Sequence, residues 1–379
     1  MSENSPSLLR DAIGEKSIGQ LGERIKSVNK DFNETHFNHL ALKNIDSLGL
    51  NERIAQVRTA LKACLPSDFK QAITYLIKAL GAEIPQDNLD GVDLTSKNGF
   101  IVLPQCEFVA HYGQDDFTTS MGALKEMTKR FSSEGAIRSF IDNHYDATYK
   151  QLTQWLTHKN VHVRRLVSEG TRPRLPLFSR LPRFIDNPEP VIKLLSALKD
   201  DSELYVRRSV ANNLNDISKD HPEVVTKLLS NWAHGASKER DWLIKHALRT
   251  LLKKGDSAAL SILGFKPVSN LKVKHFFLDK TEIKLGEDLN IVMELQCDTL
   301  GPHKMMIDYV VYHKKANGSL SPKVFKWAQK SISSKTPLKM TKKHGIKKIS
   351  TRKYYEGEHE IHLQINGEIM AKCYFTLLM

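Results

Sequence analysis

The stretch VHVRRLVSEGTRPRLP, residues 161–176, decides the fold. Its apolar residues recur at helical spacing, which predicts a short helix with one buried face. The residue before a proline disfavours the α conformation, so the Arg172-Pro173 pair predicts that the helix ends there. One carboxylate and four arginines surround this end: Glu169, Arg164, Arg165, Arg172 and Arg174. Such a set is either a solvated helix face with surface ion pairs or part of a polar site.

The same pattern returns further along the chain. VRRLVSE (163–169) matches VRRSVAN (206–212) at an offset of 43 residues, and IKHALRT (244–250) is a weaker copy 38 residues later. Each copy is followed by a turn and a second apolar helix. Two-helix units of about 40–47 residues are typical of HEAT-like solenoids. The sequence therefore predicts a HEAT-like α-solenoid.

Stacked repeats place equivalent residues in a row along one surface. One row is neutral or acidic, and the other is basic. The first row holds Glu169, Asn212 and Thr250. The second row holds Arg164, Arg165, Arg207, Arg208, Lys245 and His246. We therefore expect a basic, polar stripe on the concave surface, which suits the backbone of a nucleic-acid duplex.

The overall charge points to the same class of partner. The formal net charge is +13, and residues 309–355 contain thirteen Lys or Arg and no Asp or Glu. This excess favours a polyanion such as DNA, and an anionic membrane surface or a solubilising lysine-rich surface are the alternatives. In the basic stretch, Lys347, Lys348 and Arg352 are the candidate DNA contacts.

Several classes of protein and site are not expected. No run of 18 apolar residues exists, so no transmembrane helix is predicted, and the N-terminus lacks the pattern of a signal peptide. The four cysteines are far apart and form no CxxC pair, which indicates reduced thiols in a cytosolic protein. No metal or cofactor motif is present. We expect a cytoplasmic protein with no metal and no cofactor.

After Phe265-Lys266-Pro267 the apolar period changes to two. Six alternating runs are separated by turn residues, and Asn366-Gly367 predicts a type I′ hairpin. This pattern is typical of an immunoglobulin-like β-sandwich. The prediction is a mainly α chain: a HEAT-like domain over residues 1–267, followed by a β-sandwich domain over residues 268–379 that contacts DNA.

Two glutamates are the candidates for catalysis. Glu169 lies in the first repeat copy, and Glu134, in RFSSEGAIR (130–138), precedes it by 35 residues, about one repeat. A carboxylate near a polyanion is unfavourable unless it meets positive charge there. A cationic nucleobase, or the oxocarbenium-like sugar left when that base departs, supplies such charge. The alternative is a non-catalytic HEAT-repeat scaffold that binds DNA or a protein.

At these residues the sequence resembles the bacterial DNA alkylation-repair glycosylases of the AlkC type, relatives of the AlkD type. The resemblance rests on residues 130–141, 162–176 and 241–256, and it continues into the last domain at 306–326 and 351–368. It implies a HEAT-like solenoid with an immunoglobulin-like domain. It also implies excision of N3-methylated purines and 3-methylcytosine from alkylated duplex DNA, without a deep base pocket. We expect a monomer that acts in base excision repair.

The resemblance also assigns roles to single residues. Glu134 and Glu169 match the acidic positions of the motifs, and Arg172 and Arg174 match arginines that contact phosphates or orient Glu169. Arg130 and Arg249 lie in the matched motifs and are further candidates for DNA contact. Two aromatic positions differ: Asn212 stands where the AlkD type has a tryptophan, and Leu177 replaces an aromatic residue. Trp155 is a candidate to replace the missing aromatic at Asn212.

Overall fold

The computed structural model describes residues 8–86, 97–298, 302–333, 336–350 and 352–379. Within these residues, sixteen α-helices precede eight β-strands. By its contacts the chain divides into two compact units. Unit one comprises Met1–Asp220 and Ala236–Ala247, and unit two comprises His221–Gly235 and Leu248–Met379. The predicted fold class, a helical repeat array followed by an immunoglobulin-like sandwich, is confirmed.

The first half of unit one is a layer of helices around an apolar core. Phe32, Phe37 and Phe108 are fully buried in it. The helices are α1 (Glu15–Val28), α2 (Glu34–Leu42), α3 (Leu50–Cys64), α4 (Phe69–Lys78), α5 (Leu103–Tyr112) and α6 (Phe117–Thr128). Short 3-10 helices span Leu9–Ala12, Ile45–Ser47 and Lys97–Val102.

The second half of unit one carries the repeated pattern. Its helices are α7 (Ile137–Asn143), α8 (Tyr145–Trp155), α9 (Val161–Gly170), α10 (Pro182–Asp186), α11 (Glu189–Leu198), α12 (Leu204–Ile217) and α14 (Lys238–Ala247). Helix α9 ends at Gly170, as predicted from the Arg172-Pro173 pair. The VRR helices stack, because α12 packs against both α9 and α14.

The third copy of the pattern is not one continuous helix. Helix α14 ends at Ala247, and a separate helix, α15 (Arg249–Lys254), begins after Leu248. Leu248, between them, is a turn residue whose ψ angle of −4° lies well above the value of about −42° typical of an α-helix. Thr250 and Arg249 therefore belong to unit two rather than to the stacked VRR helices.

Unit two combines three helices with two β-sheets. The helices are α13 (Pro222–Ala233), α15 and α16 (Ser257–Ile262). The strands are β1 (Leu271–Leu278), β2 (Glu282–Lys284), β3 (Asp288–Cys297), β4 (His303–Lys314), β5 (Leu320–Ile332), β6 (Leu338–Gly345), β7 (Gly357–Ile365) and β8 (Glu368–Leu378). They form a sheet of order β1-β3-β6 and a sheet of order β2-β8-β7-β4-β5.

The sandwich core follows from the alternation along the strands. Leu289, Ile291 and Met293 of β3 are buried at every second position, as the period of two requires. The β7–β8 hairpin turns at Asn366 and Gly367, whose φ angles of 47° and 87° are both positive, as a type I′ turn needs.

Two strands of the sandwich were not predicted. Strand β2 is too short to show a period, and β6 carries lysines on its exposed face that conceal its alternation. The contact-based division also falls before the predicted boundary at residues 267 and 268, because α13, α15 and α16 pack within unit two. That boundary marks where helices give way to strands, and as a domain boundary it stays a prediction.

Candidate active site

The end of helix α9 is held in place by a buried arginine. Arg138, on α7, is 1% exposed and donates hydrogen bonds to the carbonyls of Gly170 at 3.0 Å, Arg172 at 2.8 Å and Ser179 at 2.6 Å. Burial lowers the pKa of Arg138 to about 10. These bonds satisfy carbonyls that the abrupt helix end leaves free. The position of Arg172 is therefore set by the packing of α7 against the turn.

Glu169 is almost completely enclosed, with 5% of its surface exposed. Its Oε1 accepts a hydrogen bond from Arg172 Nη1 at 2.7 Å and lies 3.6 Å from Arg165 Nη2. Its Oε2 accepts from the Ser209 hydroxyl at 2.6 Å. Burial would raise the pKa of Glu169, but Arg165, Arg172 and the Ser209 hydrogen bond outweigh burial and hold the pKa below its ordinary value. The carboxylate is therefore ionised at neutral pH.

Glu134 lies in the loop between α6 and α7 and is more open. Its side chain is 18% exposed, and its Oε2 accepts from Ser132 Oγ at 2.6 Å and from Arg165 Nη1 at 2.8 Å. Within the described residues, Oε1 of Glu134 accepts no hydrogen bond. Arg165 contacts both Glu134 and Glu169. One guanidinium therefore joins the two predicted carboxylates in a single site.

Arg165 also packs against an aromatic ring. Its guanidinium carbon lies 4.9 Å from the centre of the Tyr205 ring, in a cation–π contact. Burial would lower the pKa of Arg165, but Tyr205 and the two carboxylates raise it. The bridge is therefore charged and rigid.

Sequence reasoning missed two residues that support the site. Ser209 binds Glu169, and Asp216 accepts from Arg172 Nε at 2.8 Å. A signal for Ser209 was available: the equivalent residue of the first repeat copy is the buried Leu166. A serine in place of a core leucine leaves a buried hydroxyl that needs a partner.

In the first two repeat copies, the first arginine forms its contacts within the protein. Arg164 forms a two-pronged ion pair with Asp201, at 2.6 and 3.0 Å, and donates to the carbonyls of His158 and Lys159. Arg207 repeats this geometry by donating to two carbonyls of the turn before α12, at 2.5 and 2.7 Å. Both side chains anchor turns between repeats. A contact of either with DNA stays a prediction.

The other predicted basic residues of unit one differ in exposure. Arg174 pairs with Asp220 at 2.6 Å, and Arg130 pairs with Glu126 at 3.0 Å. Lys245 is exposed. Arg208 and Asn212 are half-buried.

The remaining predicted basic residues belong to unit two, whereas the two carboxylates belong to unit one. Arg249 opens α15 and is half-buried, whereas Lys347 and Lys348 are exposed beyond β6. Arg352 is half-buried and contacts the ring of His313. Lys342 and Lys343, in the same basic stretch, lie on strand β6.

The structure also shows the surroundings of Trp155, the candidate aromatic, and of Leu177. Trp155 is 4% exposed and belongs to the core, so it is not the surface aromatic that the missing tryptophan at Asn212 would require. Leu177 is 64% exposed with a φ of 69°, a conformation that costs a leucine about 1–2 kcal/mol. Phe178, beside it, packs on Gly135, where a Cβ atom would lie 2.1 Å from its ring. The loop 177–178 is thereby pressed against the loop that carries Glu134.

In the part of the chain that the structure describes, no three His, Cys, Asp or Glu side chains are placed to hold a metal ion. No helix in that part is long and apolar enough to cross a membrane.

Two family models match separate parts of the chain. The model described as "DNA alkylation repair enzyme" matches residues 122–251, which include the carboxylates and the VRR helices. The model described as "Uncharacterised protein YhaZ, C-terminal Ig-like domain" matches residues 272–379.

Two similar proteins cover the whole chain. The uncharacterized protein YhaZ of Bacillus subtilis (strain 168) is 36% identical over 362 residues, 95% of this chain and 97% of that protein. The structure of Pseudomonas fluorescens alkylpurine DNA glycosylase AlkC bound to DNA containing an abasic site analog has a TM-score of 0.90 at 34% identity. That match covers 98% of this chain and 100% of the other.

Proposed function

The chain belongs to the AlkC-type family of DNA alkylation-repair enzymes, and from that premise we propose that it is a DNA glycosylase for cationic alkylated bases. Its substrates are 3-methyladenine and 3-methylcytosine in duplex DNA, and the reaction is hydrolysis of the N-glycosidic bond in base excision repair. It acts as a monomer in the bacterial cytosol and needs no metal or cofactor.

The observation that carries this proposal is the Glu134–Arg165–Glu169 bridge. An N3-alkylated base is already cationic and leaves without a strong acid to protonate it. The barrier then depends on stabilising the positive charge that develops on the sugar, and fixed negative charge in a water-poor site does this. Glu134 presents this negative charge, because Arg165 holds its Oε2 and leaves its Oε1 free.

The two glutamates divide this work in our proposal. Glu134 is the more open of the pair, and its Oε1 has a free lone pair for the sugar or for the attacking water. Glu169 has both oxygens engaged, so it acts by orienting Arg165 and by adding negative charge behind it. Glu134 is therefore the catalytic residue that touches the substrate, and Glu169 is a positioning residue.

Single-turnover release of 3-methyladenine and 3-methylcytosine from alkylated duplex DNA tests this function. We expect Glu134→Gln to lower the rate by about 10²–10³-fold, the usual effect of losing one charge-stabilising group. Glu169→Gln should also slow release, and it should destabilise the fold by about 3–5 kcal/mol, because two buried arginines, Arg165 and Arg172, each lose one of their two carboxylate partners.

The matched control is Glu126→Gln, which removes a partly exposed glutamate that pairs with Arg130. This variant should release both bases at the wild-type rate. If the wild-type protein releases neither base, the chain binds DNA as a scaffold without this catalysis. If both active-site substitutions release the bases at the rate of the control, these two glutamates do not carry the reaction.

We also propose that unit two contacts DNA phosphates through its basic stretch. Lys347 and Lys348 are exposed and, within the described residues, have no ion pair. Their double replacement by alanine should reduce the slope of log affinity against log salt by about two, since each phosphate contact contributes roughly 0.9. The control is Lys30→Ala with Lys78→Ala, two exposed lysines that lie in the turn after α1 and on α4. An equal slope in both double variants would reject the phosphate contacts.

A further inference from the structure

One tryptophan of this chain is exposed. The chain has four tryptophans, all within the described residues. Trp155, Trp232 and Trp327 are 4%, 7% and 8% exposed, whereas Trp242, on α14, is 37% exposed. An exposed tryptophan is unusual, because its ring is the largest apolar surface that a side chain offers.

The ring of Trp242 is held in a fixed orientation. It stacks on His246, one turn later on α14, with ring centres 5.0 Å apart and planes 7° from parallel. His246 Nε2 lies 3.1 Å from Asn212 Oδ1, and because an amide oxygen only accepts, Nε2 is the donor. The ring stays 37% exposed, so part of its surface is open to a partner. A contact with this ring costs little additional ordering.

The same contacts connect Trp242 to the helix that supports the active site. Ser209, which binds Glu169, and Asn212 are three residues apart and share one face of α12. Asn212 then holds His246 beneath Trp242. From α9 to α14 there are two helix–helix spacings of ~8–10 Å each. Trp242 also lies eight residues before Thr250, the position equivalent to Glu169, which adds about 12 Å along the helix axis. The separation is therefore roughly 20 Å, or about six base pairs at roughly 3.4 Å per base pair.

We propose that Trp242 is a DNA-contact residue whose exposed indole surface packs against the sugar–phosphate backbone about six base pairs from the excised base. This rests on the proposed function, since it takes the partner to be duplex DNA. The indole provides a flat apolar surface for the deoxyribose and an N–H donor for a phosphate oxygen. The exposed Lys245 beside it supplies positive charge for the same backbone. The Trp242–His246–Asn212 stack thus supplies the surface aromatic that Trp155 does not.

Acrylamide quenching of tryptophan fluorescence tests this directly, with an undamaged duplex of about 20 base pairs. In the free protein, the quenchable fraction should come from Trp242, and Trp242→Phe should remove it. A saturating duplex should shield that fraction in the wild type. The inference is overturned if the quenchable fraction is the same with and without DNA.

Binding measurements add a second readout. Trp242→Ala should weaken duplex affinity by about tenfold, as loss of an aromatic contact to DNA does, while Trp242→Phe should retain most of it. Val224→Ala, which truncates another exposed apolar residue on α13, should leave affinity unchanged. Equal affinity of Trp242→Ala and the wild type would also overturn the inference.

Failure of this inference is distinguishable from failure of the proposed function. If the wild type releases alkylated bases but DNA does not shield Trp242, the inference fails and the glycosylase stands. If the wild type releases none but the duplex shields Trp242, the contact stands and the proposed reaction fails.

Discussion

Replacing Ser209 with alanine tests how Glu169 is held. Ser209 donates the one hydrogen bond that Oε2 of Glu169 accepts within the described residues, at 2.6 Å, while Oε1 keeps Arg172 and Arg165. A hydrogen bond to a charged group contributes about 1.5–3 kcal/mol. Since one pKa unit corresponds to about 1.4 kcal/mol, its loss should raise the pKa of Glu169 by about one to two units.

The assay is the pH dependence of kcat/KM for 3-methyladenine release, after the uncatalysed loss of base is subtracted. The pKa of Glu169 is lowered in the native protein, so the wild type should keep the carboxylate ionised well into the acid range. In Ser209→Ala the acid limb should move to higher pH by the same one to two units. The variant should also be less stable near pH 7, and this difference should shrink as the pH falls through the native pKa of Glu169.

The control for this experiment is Ser218→Ala. Ser218 is 1% exposed at the end of the same helix, but its hydroxyl donates to the carbonyl of Asn215 rather than to a carboxylate. Its acid limb should coincide with that of the wild type. If Ser209→Ala and Ser218→Ala have the same acid limb, the Ser209 hydroxyl does not set the ionisation of Glu169, and the reasoning is refuted.

Two further predictions concern stability. Arg164→Ala should lower the free energy of unfolding by about 3–5 kcal/mol, because it leaves the buried carboxylate of Asp201 unpaired. Arg240→Ala breaks the neighbouring pair with the exposed Asp200 and should lower the free energy of unfolding by only ~0–1 kcal/mol. Denaturant titration measures both losses, and equal losses would contradict the difference between the buried and the exposed pair. Burial, followed by the charge of a nearby arginine, lowers the pKa of His344 to about 4. The unfolded chain therefore binds a proton near pH 6.5 that the native protein takes up only near pH 4, so stability is lost as the pH falls through this range. The melting temperature of His344→Gln should fall less between pH 7 and pH 5 than that of the wild type, and parallel decreases would count against this assignment.

The features predicted correctly from the sequence are those that depend on local sequence patterns. The end of α9 follows from Pro173, the hairpin follows from Asn366-Gly367, and the structural repeat follows from the second occurrence of the VRR pattern. Each of these depends on residues within one turn or one helix. Strand β2 was missed because three residues are too few to show a period.

The site was predicted in part, because its residue types are visible in sequence but its contacts are not. Arg164 and Arg165 are adjacent and chemically identical, yet one binds a turn and the other bridges two carboxylates. A helix rotates about 100° per residue, so neighbours face different surroundings that only packing defines. The hydrogen bond between Ser209 and Glu169 also depends on packing, because it forms where α12 packs against α9. No local pattern in either helix predicts that pairing.

The serine at the position of a core leucine also bears on how the repeats diverged. Leu166 and Ser209 are equivalent in the two copies, and the hydroxyl of Ser209 accepts from Ser168 at 2.7 Å and donates to Glu169 at 2.6 Å. We therefore expect positions 169 and 209 to vary together. Relatives that have lost the carboxylate at position 169 should carry an aliphatic residue at position 209, and a lineage that keeps one without the other should be rare.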